Sequence, residues 1–381
     1  MDNHRPTWAE IDLAAIKHNL KVIQKAAGNA KVMAMVKANA YGHGMLEVSE
    51  ICRQQKVDFF GVASLDEAIA LKKVIKDIPI LVLGYIPKSD AEEVVANDIR
   101  PCIFTIETAE AMSKAAVKLN HEVKLHIKID TGMGRIGFLP NEKTLETIMT
   151  IAAFPKVQIE GIFTHFAEAD VTNSSFTQEQ IQIFKELVGK LEKRGLYIPL
   201  KHCSNSAALI NFPEAHFDMV RAGIILYGLY PSAEISRKNL DIIPAMTLKS
   251  RVAYIKTLPA GYSISYGRTY CCQQESRVAT IPIGYADGYS RLFSNRAQAV
   301  IKGKRVPLVG NVCMDMCMFD VSELGEIGEG EEVILFGRPE DGITADDLAE
   351  LIGTINYEIV AALGSRVPRV FVNGSLNIKL L

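Results

Sequence analysis

From Ile11 to about Pro231 the chain alternates short apolar runs with longer amphipathic stretches. Eight of the runs read as strands: VMAMVK (32–37), FFGVAS (59–64), IPILVLG (78–84), IRPCIF (99–104), KLHIKID (124–130), QIEGIFTHF (158–166), LKHCSN (200–205) and MVRAGIILYG (219–228). Apolar, partly β-branched segments of this length favour extended structure. Most intervals hold a helix, such as 14–27, 107–119 or 177–194, and Ser64-x-x-Glu67 and Thr177-x-x-Gln180 have the spacing of capping boxes. Eight strand–helix units, the last helix weakly marked, predict a (β/α)8 barrel of the TIM type rather than an open doubly wound sheet.

The pattern changes after Pro231. Between 245 and 340 the runs AMTLKSRVAYIKT, SRVATIPIG, AQAVIKG, RVPLVG, MFDVS and EEVILFG are short and separated by glycine-containing turns, which predicts an all-β domain. One helix, 344–352, opens on a Thr344-x-x-Asp347 cap, and RVPRVFVNG closes the chain. The expected fold class is therefore α/β: an N-terminal barrel over 11–240, then a C-terminal β domain over 241–381, with the linker at 232–241.

Composition narrows the function classes. The 381 residues are 48% hydrophobic and 23% charged with a formal net charge of −2, ordinary for a globular protein of two or three domains and no electrostatic basis for binding nucleic acid or an anionic membrane. Seven cysteines, an odd number without C-x-x-C spacing, argue against a disulfide framework and against a zinc site, so no metal is expected. Neither a cleavable leader nor a bilayer-length apolar run is visible, and the expected location is the cytoplasm.

Candidate chemistry begins at VMAMVKANAYGHG. Five apolar residues deliver Lys37 to a stretch of small and turn-forming residues. A lysine at a strand end is most often a solvated charge, but here its stem would lie against packed surface. Partial desolvation disfavours the ammonium and lowers the pKa from about 10.4, as a Schiff-base lysine requires. The other candidates are expected on the same rim, where barrel enzymes gather their chemistry: Arg135 just past the fifth expected strand, His165 at the end of the sixth, Asn205 and Ser206 at the end of the seventh, and Arg221 with Gly223 in the eighth. Ser206 at a helix start and the backbone N–H groups of Gly223 and Ile224 make an anion cradle, although singly each also reads as a helix cap or a packing residue.

VKANAYGHG resembles the pyridoxal-phosphate lysine motif of bacterial alanine racemases, and the resemblance extends through nearly the whole chain. It implies Lys37 as the cofactor lysine and one base, SNSAA and RAGIILYG as phosphate-binding segments, and Tyr41 and Tyr357 near the phosphate. Arg221 would face the pyridine nitrogen. A guanidinium does not readily lend its proton, so the ring would be a weak electron sink that favours isomerisation over amino transfer.

The same resemblance identifies Tyr266, in GYSISYGRTY, as the second base, reaching the site of a partner subunit in a head-to-tail homodimer. Taken alone, Tyr266 reads as an exposed interface tyrosine; a phenol of pKa about 10 needs nearby positive charge to act as a base, and His165, bonded towards Arg221, is the expected source. Arg135 and the backbone of Met314, with Cys313 and Asp315 beside it, would bind the substrate carboxylate. Lys128 matches a lysine often carbamylated to orient Arg135. The first strand, PTWAEID, would join the β domain. Tyr285 and Arg291 match the family's entrance corridor, but Asn311 stands where many relatives have arginine.

The expected activity is thus two-base interconversion of L- and D-alanine with pyridoxal 5'-phosphate, supplying D-alanine for peptidoglycan. A serine or broad-specificity racemase and a non-catalytic pyridoxal-phosphate carrier are the alternatives, with a decarboxylase third; the carrier would lack the C-terminal segment that holds Tyr266 and Met314.

Overall fold

The computed structural model describes residues 5–235 and 240–374. Over these it forms two compact units: one draws on residues 5–15, 41–44 and 243–374, the other on 16–40, 45–235 and 240–242. Of the expected linker, residues 236–239 lie outside the described residues.

Strand β1 (Trp8–Asp12) precedes the eight strands of the second unit: β2 (Lys31–Met35), β3 (Phe59–Val62), β4 (Ile80–Val82), β5 (Arg100–Ile103), β6 (Val123–Lys128), β7 (Val157–Phe163), β8 (Leu200–His202) and β9 (Met219–Ala222). The eight pair in parallel in the order β8-β7-β6-β5-β4-β3-β2-β9. The two outer strands approach through the Arg221 N–H on Ser204 O and the Asp218 N–H on Lys201 O, each at 3.0 Å, giving the nearly closed TIM-type barrel that the alternation predicted. Strands such as β4, whose Ile80, Leu81 and Val82 are all fully buried, are apolar throughout because both faces are covered.

The strands are shorter than their apolar runs, since the polar residues that follow leave the sheet to build the rim. Helix signals were met unevenly. Ser64 caps Leu65–Val74 by accepting the Glu67 N–H, yet the Glu67 carboxylate does not return to close a box; it accepts the N–H groups of Ala63 and Ala38. The Thr177–Gln180 box is absent. That helix starts earlier, at Ser175, with Ser174 as its cap, and Gln180 is a buried side chain that bonds Thr131 Oγ1, His165 O and the Ala167 N–H.

The other unit is built on β10 (Met246–Arg251), β11 (Tyr254–Leu258), β12 (Ser263–Ile264), β13 (Tyr270–Cys271), β14 (Ser276–Ile281), β15 (Gln298–Ile301), β16 (Lys304–Pro307), β17 (Cys317–Asp320), β18 (Glu332–Phe336) and β19 (Arg369–Val372). Its main sheet runs β16-β15-β18-β10-β1-β19, so β1 pairs antiparallel with β10 and parallel with β19. A three-stranded sheet, β11-β14-β17, packs Leu258 and Val278 around a small core with Ile264, Cys272 and Val309. Thr344 and Asp347 do form a reciprocal capping box at the start of Ala345–Ile352.

Candidate active site

Strand β2 ends at Met35, so Lys37 stands beyond the strand rather than on it. The backbone then enters a left-handed turn, with φ of 51°, 53°, 55° and 52° at Ala38, Asn39, Ala40 and Tyr41. Each non-glycine residue held there costs roughly 1–2 kcal/mol, and identifiable bonds hold it. The Ala38 N–H donates to Glu67 Oε1 at 2.6 Å, the Ala40 N–H to Val36 O at 2.8 Å, and Asn39 Oδ1 accepts the Met45 N–H at 2.9 Å. The turn fixes where the Lys37 stem leaves the barrel wall. Burial lowers the Lys37 pKa, the Arg135 guanidinium lowers it further, Glu67 acts against them and Arg221 with them.

Arg221, on β9, is buried and makes five polar contacts. Its Nη1 donates to His202 O at 3.0 Å and His202 Nδ1 at 3.1 Å, and its Nη2 to Cys203 O at 2.8 Å, Thr164 O at 2.9 Å and His165 Nδ1 at 3.2 Å. Burial pushes its pKa down to about 10, so it stays a cation at neutral pH. His165, two residues past β7, is held well below its usual pKa by burial and then by Arg221. That corrects the expectation that His165 carries positive charge: a neutral imidazole accepting at Nδ1 keeps its proton on Nε2 and can only donate there. The fixed positive charge belongs to Arg221.

Ser206 opens the short helix Ser206–Asn211, and Asn205 is its N-cap, with Oδ1 accepting the Ala208 N–H at 2.9 Å. Gly223 precedes the turn Ile224–Tyr227, and its N–H already donates to Ser206 Oγ at 2.9 Å. Two helical starts thus meet through one hydrogen bond, a place suited to an anionic group. Buried Lys128 ends β6, with Nζ on Ile129 O at 3.2 Å and 5.2 Å from the Phe163 ring centre. Burial, then Arg221, pushes its pKa down to about 7. Arg135 is exposed in the loop that follows.

The remaining candidates belong to the other unit. Tyr41 and Tyr357 face each other with ring centres 6.1 Å apart. Gly42 (φ +85°) passes so close to the helix Asn356–Ala361 that a Cβ there would lie 2.2 Å from Val360 O. Tyr266 is 70% exposed and Met314 52% exposed, presenting a phenol and a backbone segment outward. Tyr266 sits in a tight loop flanked by Ser265 (φ 66°) and Gly267 (φ 72°). Asn311 Nδ2 donates to the Tyr266 carbonyl at 2.6 Å, and Ser265 Oγ to Asn311 O at 2.5 Å. The Met314 segment is docked by the N–H groups of Tyr285 on Cys313 O and Ala286 on Met314 O.

Reading the sequence missed Glu67, His202 and His126 as parts of the site. Two histidines on the fifth and seventh apolar runs, KLHIKID and LKHCSN, were the available signal. Among the described residues no group of three or more His, Cys, Asp or Glu is placed to hold a metal ion, all seven cysteines are free, and no helix is long and apolar enough to cross a membrane.

Residues 11–231 match the family described as alanine racemase, N-terminal domain, and residues 245–371 match alanine racemase, C-terminal domain. A curated relative, the alanine racemase of Clostridium perfringens, is 45% identical over 99% of this chain and 98% of its own length. Among solved structures, the alanine racemase of Clostridium difficile superposes with a TM-score of 0.94 at 40% identity, covering 97% of this chain and 96% of that one. That of Bacillus anthracis with bound L-Ala-P gives 0.92 at 38% identity, covering 98% and 96%.

Proposed function

The chain belongs to the alanine racemase family, and from that premise we propose how its residues interconvert L- and D-alanine. The enzyme is a pyridoxal-phosphate-dependent isomerase by that membership. Its residues fit the cofactor: Lys37 offers an amine of lowered pKa, Ser206, Gly223 and Ile224 with Asn205 offer a hydroxyl and helix-start donors to a phosphate, and Arg221 offers a guanidinium to a ring nitrogen. Tyr41 and Tyr357 complete the phosphate side, and His165 the ring side. When bound, the cofactor withdraws electrons from the Cα of alanine and makes its proton removable.

Lys37 Nζ takes or returns the Cα proton on one face, serving D-alanine. On the opposite face Tyr266 of the partner subunit does the same through its phenolic oxygen, serving L-alanine, in a head-to-tail homodimer with two shared sites. Arg221 keeps its own protons at neutral pH, so it supports a limited charge draw and the proton goes back to Cα. The neutral His165 donates from Nε2 and steadies the phenolate, while Arg221 behind it supplies the charge. Arg135 and the backbone of Met314 of the partner subunit hold the substrate carboxylate. The product serves peptidoglycan synthesis in the cytoplasm.

The observation that carries this reading is the half-buried Lys37, whose pKa is lowered by burial and by two arginines. L-alanine incubated in D2O with the cofactor-loaded enzyme should yield D-alanine carrying deuterium at Cα. D-alanine that retains the original hydrogen throughout would contradict exchange at two separate bases.

A further inference from the structure

The acceptors that surround Arg221 are three carbonyls and two imidazoles, all neutral. Among the described residues it pairs with no carboxylate, an unusual state for a buried cation, which ordinarily needs a counter-charge. One is reached through the barrel interior. His202 Nδ1 faces Arg221 Nη1 at 3.1 Å, His202 Nε2 faces His126 Nδ1 at 2.9 Å, and His126 Nε2 faces Glu160 Oε2 at 3.2 Å. Glu160 Oε2 also accepts Arg100 Nε at 3.2 Å. The four residues of this line lie on successive strands, β6 to β9.

The two ends fix the direction of every bond. A guanidinium can only donate, so His202 accepts at Nδ1 and carries its proton on Nε2. That proton leaves His126 to accept at Nδ1 and donate from Nε2 to the carboxylate. Both imidazoles are fully buried, and burial lowers the pKa of each, most strongly for His202. Their ring dipoles therefore align head to tail between a cation and an anion, the arrangement in which a hydrogen-bonded chain strengthens itself. The packing is shaped for it. Gly161 lies opposite His126 in the β6–β7 register, and a Cβ at 161 would stand 2.3 Å from His126 Nδ1. The Phe163 ring stacks on His202 at 4.7 Å between centres and 6° between planes.

We infer that His202, His126 and Glu160 form a polarised relay through which the Glu160 carboxylate acts on Arg221, making Glu160 and His126 positioning residues for the reaction at the opposite end of the barrel. The other titratable groups facing Arg221 are His165, Lys128, Arg135, Lys37, Cys102 and Cys203, none of them a carboxylate. Facing Glu160 are His126 and Arg100. The relay's effect on turnover rests on the racemase reading; its bond directions and its coupling to Arg221 do not.

The test uses the cofactor-loaded enzyme with labelled histidine nitrogens and arginine Cζ. Both His126 and His202 should show the neutral Nε2–H tautomer near neutral pH. Glu160→Gln keeps an acceptor for His126 and removes the charge; the Arg221 Cζ titration midpoint should fall by about one pH unit, and the basic limb of kcat/KM should move the same way. His126→Asn, which interrupts the line with Glu160 in place, should lower the midpoint as well and covers the case of a poorly folded Glu160 variant. A His202 Nδ1–H tautomer, or an unmoved Arg221 midpoint in the folded variants, would overturn the relay. Correct tautomers and a shifted midpoint without any turnover would leave the relay standing and count against the racemase reading.

Discussion

The side-chain amide of Asn311 holds the backbone carbonyl of Tyr266 at 2.6 Å. This bond ties the proposed second base to the segment that carries Met314, and it clamps a loop whose Ser265, Gly267 and Arg268 all have positive φ. Asn311, set apart in the sequence as a departure from the arginine of many relatives, therefore has a local task of its own.

Asn311→Ala should release that loop. A hydrogen bond of this kind is worth about 0.5–1.5 kcal/mol, so kcat should fall roughly two- to tenfold. Cofactor affinity should stay unchanged, because the bond touches none of the cofactor-holding residues. Steady-state kinetics beside a cofactor titration separates the two; an equal loss in both would contradict the assignment.

Glu67 has two effects on Lys37. Its carboxylate accepts the Ala38 N–H, and its charge raises the Lys37 pKa against burial and Arg135. Glu67→Gln keeps an acceptor and removes the charge, so Lys37 should lose its proton at lower pH than in the parent protein. Capture of pyridoxal phosphate by the cofactor-free protein needs the free amine. Its rate, followed by absorbance across pH, should therefore rise at lower pH in the variant.

Lys128 predicts a stability profile. Its folded-state pKa of about 7 lies below its ordinary value of 10.5, so between these the unfolded chain binds more protons and stability rises with pH. Below about pH 7 the buried ammonium is carried at full cost. Lys128→Met should flatten the rise in urea-unfolding free energy from pH 7 upward in protein freed of carbon dioxide. The neutral amine is also the form that takes up carbon dioxide, and bicarbonate should add a carbamate visible by mass and raise activity in the parent protein alone.

Much of this was legible in the chain. Apolar runs fixed eight strands because strands buried on both faces leave a continuous hydrophobic signature. The left-handed turn after Lys37 was not legible, since Ala38 and Ala40 carry no local preference for positive φ; Glu67, some thirty positions on, holds it. Gln180 looked like half of a capping box because Ser174, the true cap, lies three residues before Thr177. The charge state of His165 and the line from Arg221 to Glu160 depend on burial and on contacts between strands distant in sequence, which spacing along one strand cannot encode.

The central claim is that one reaction uses Lys37 of one chain and Tyr266 of the partner subunit. Mixing the separately inactive Lys37→Ala and Tyr266→Phe proteins under conditions that exchange subunits tests it most directly, since a hybrid dimer would hold one site with both native groups. The account predicts that racemisation of alanine returns as hybrids form. Hybrid dimers that form and stay inactive would contradict it.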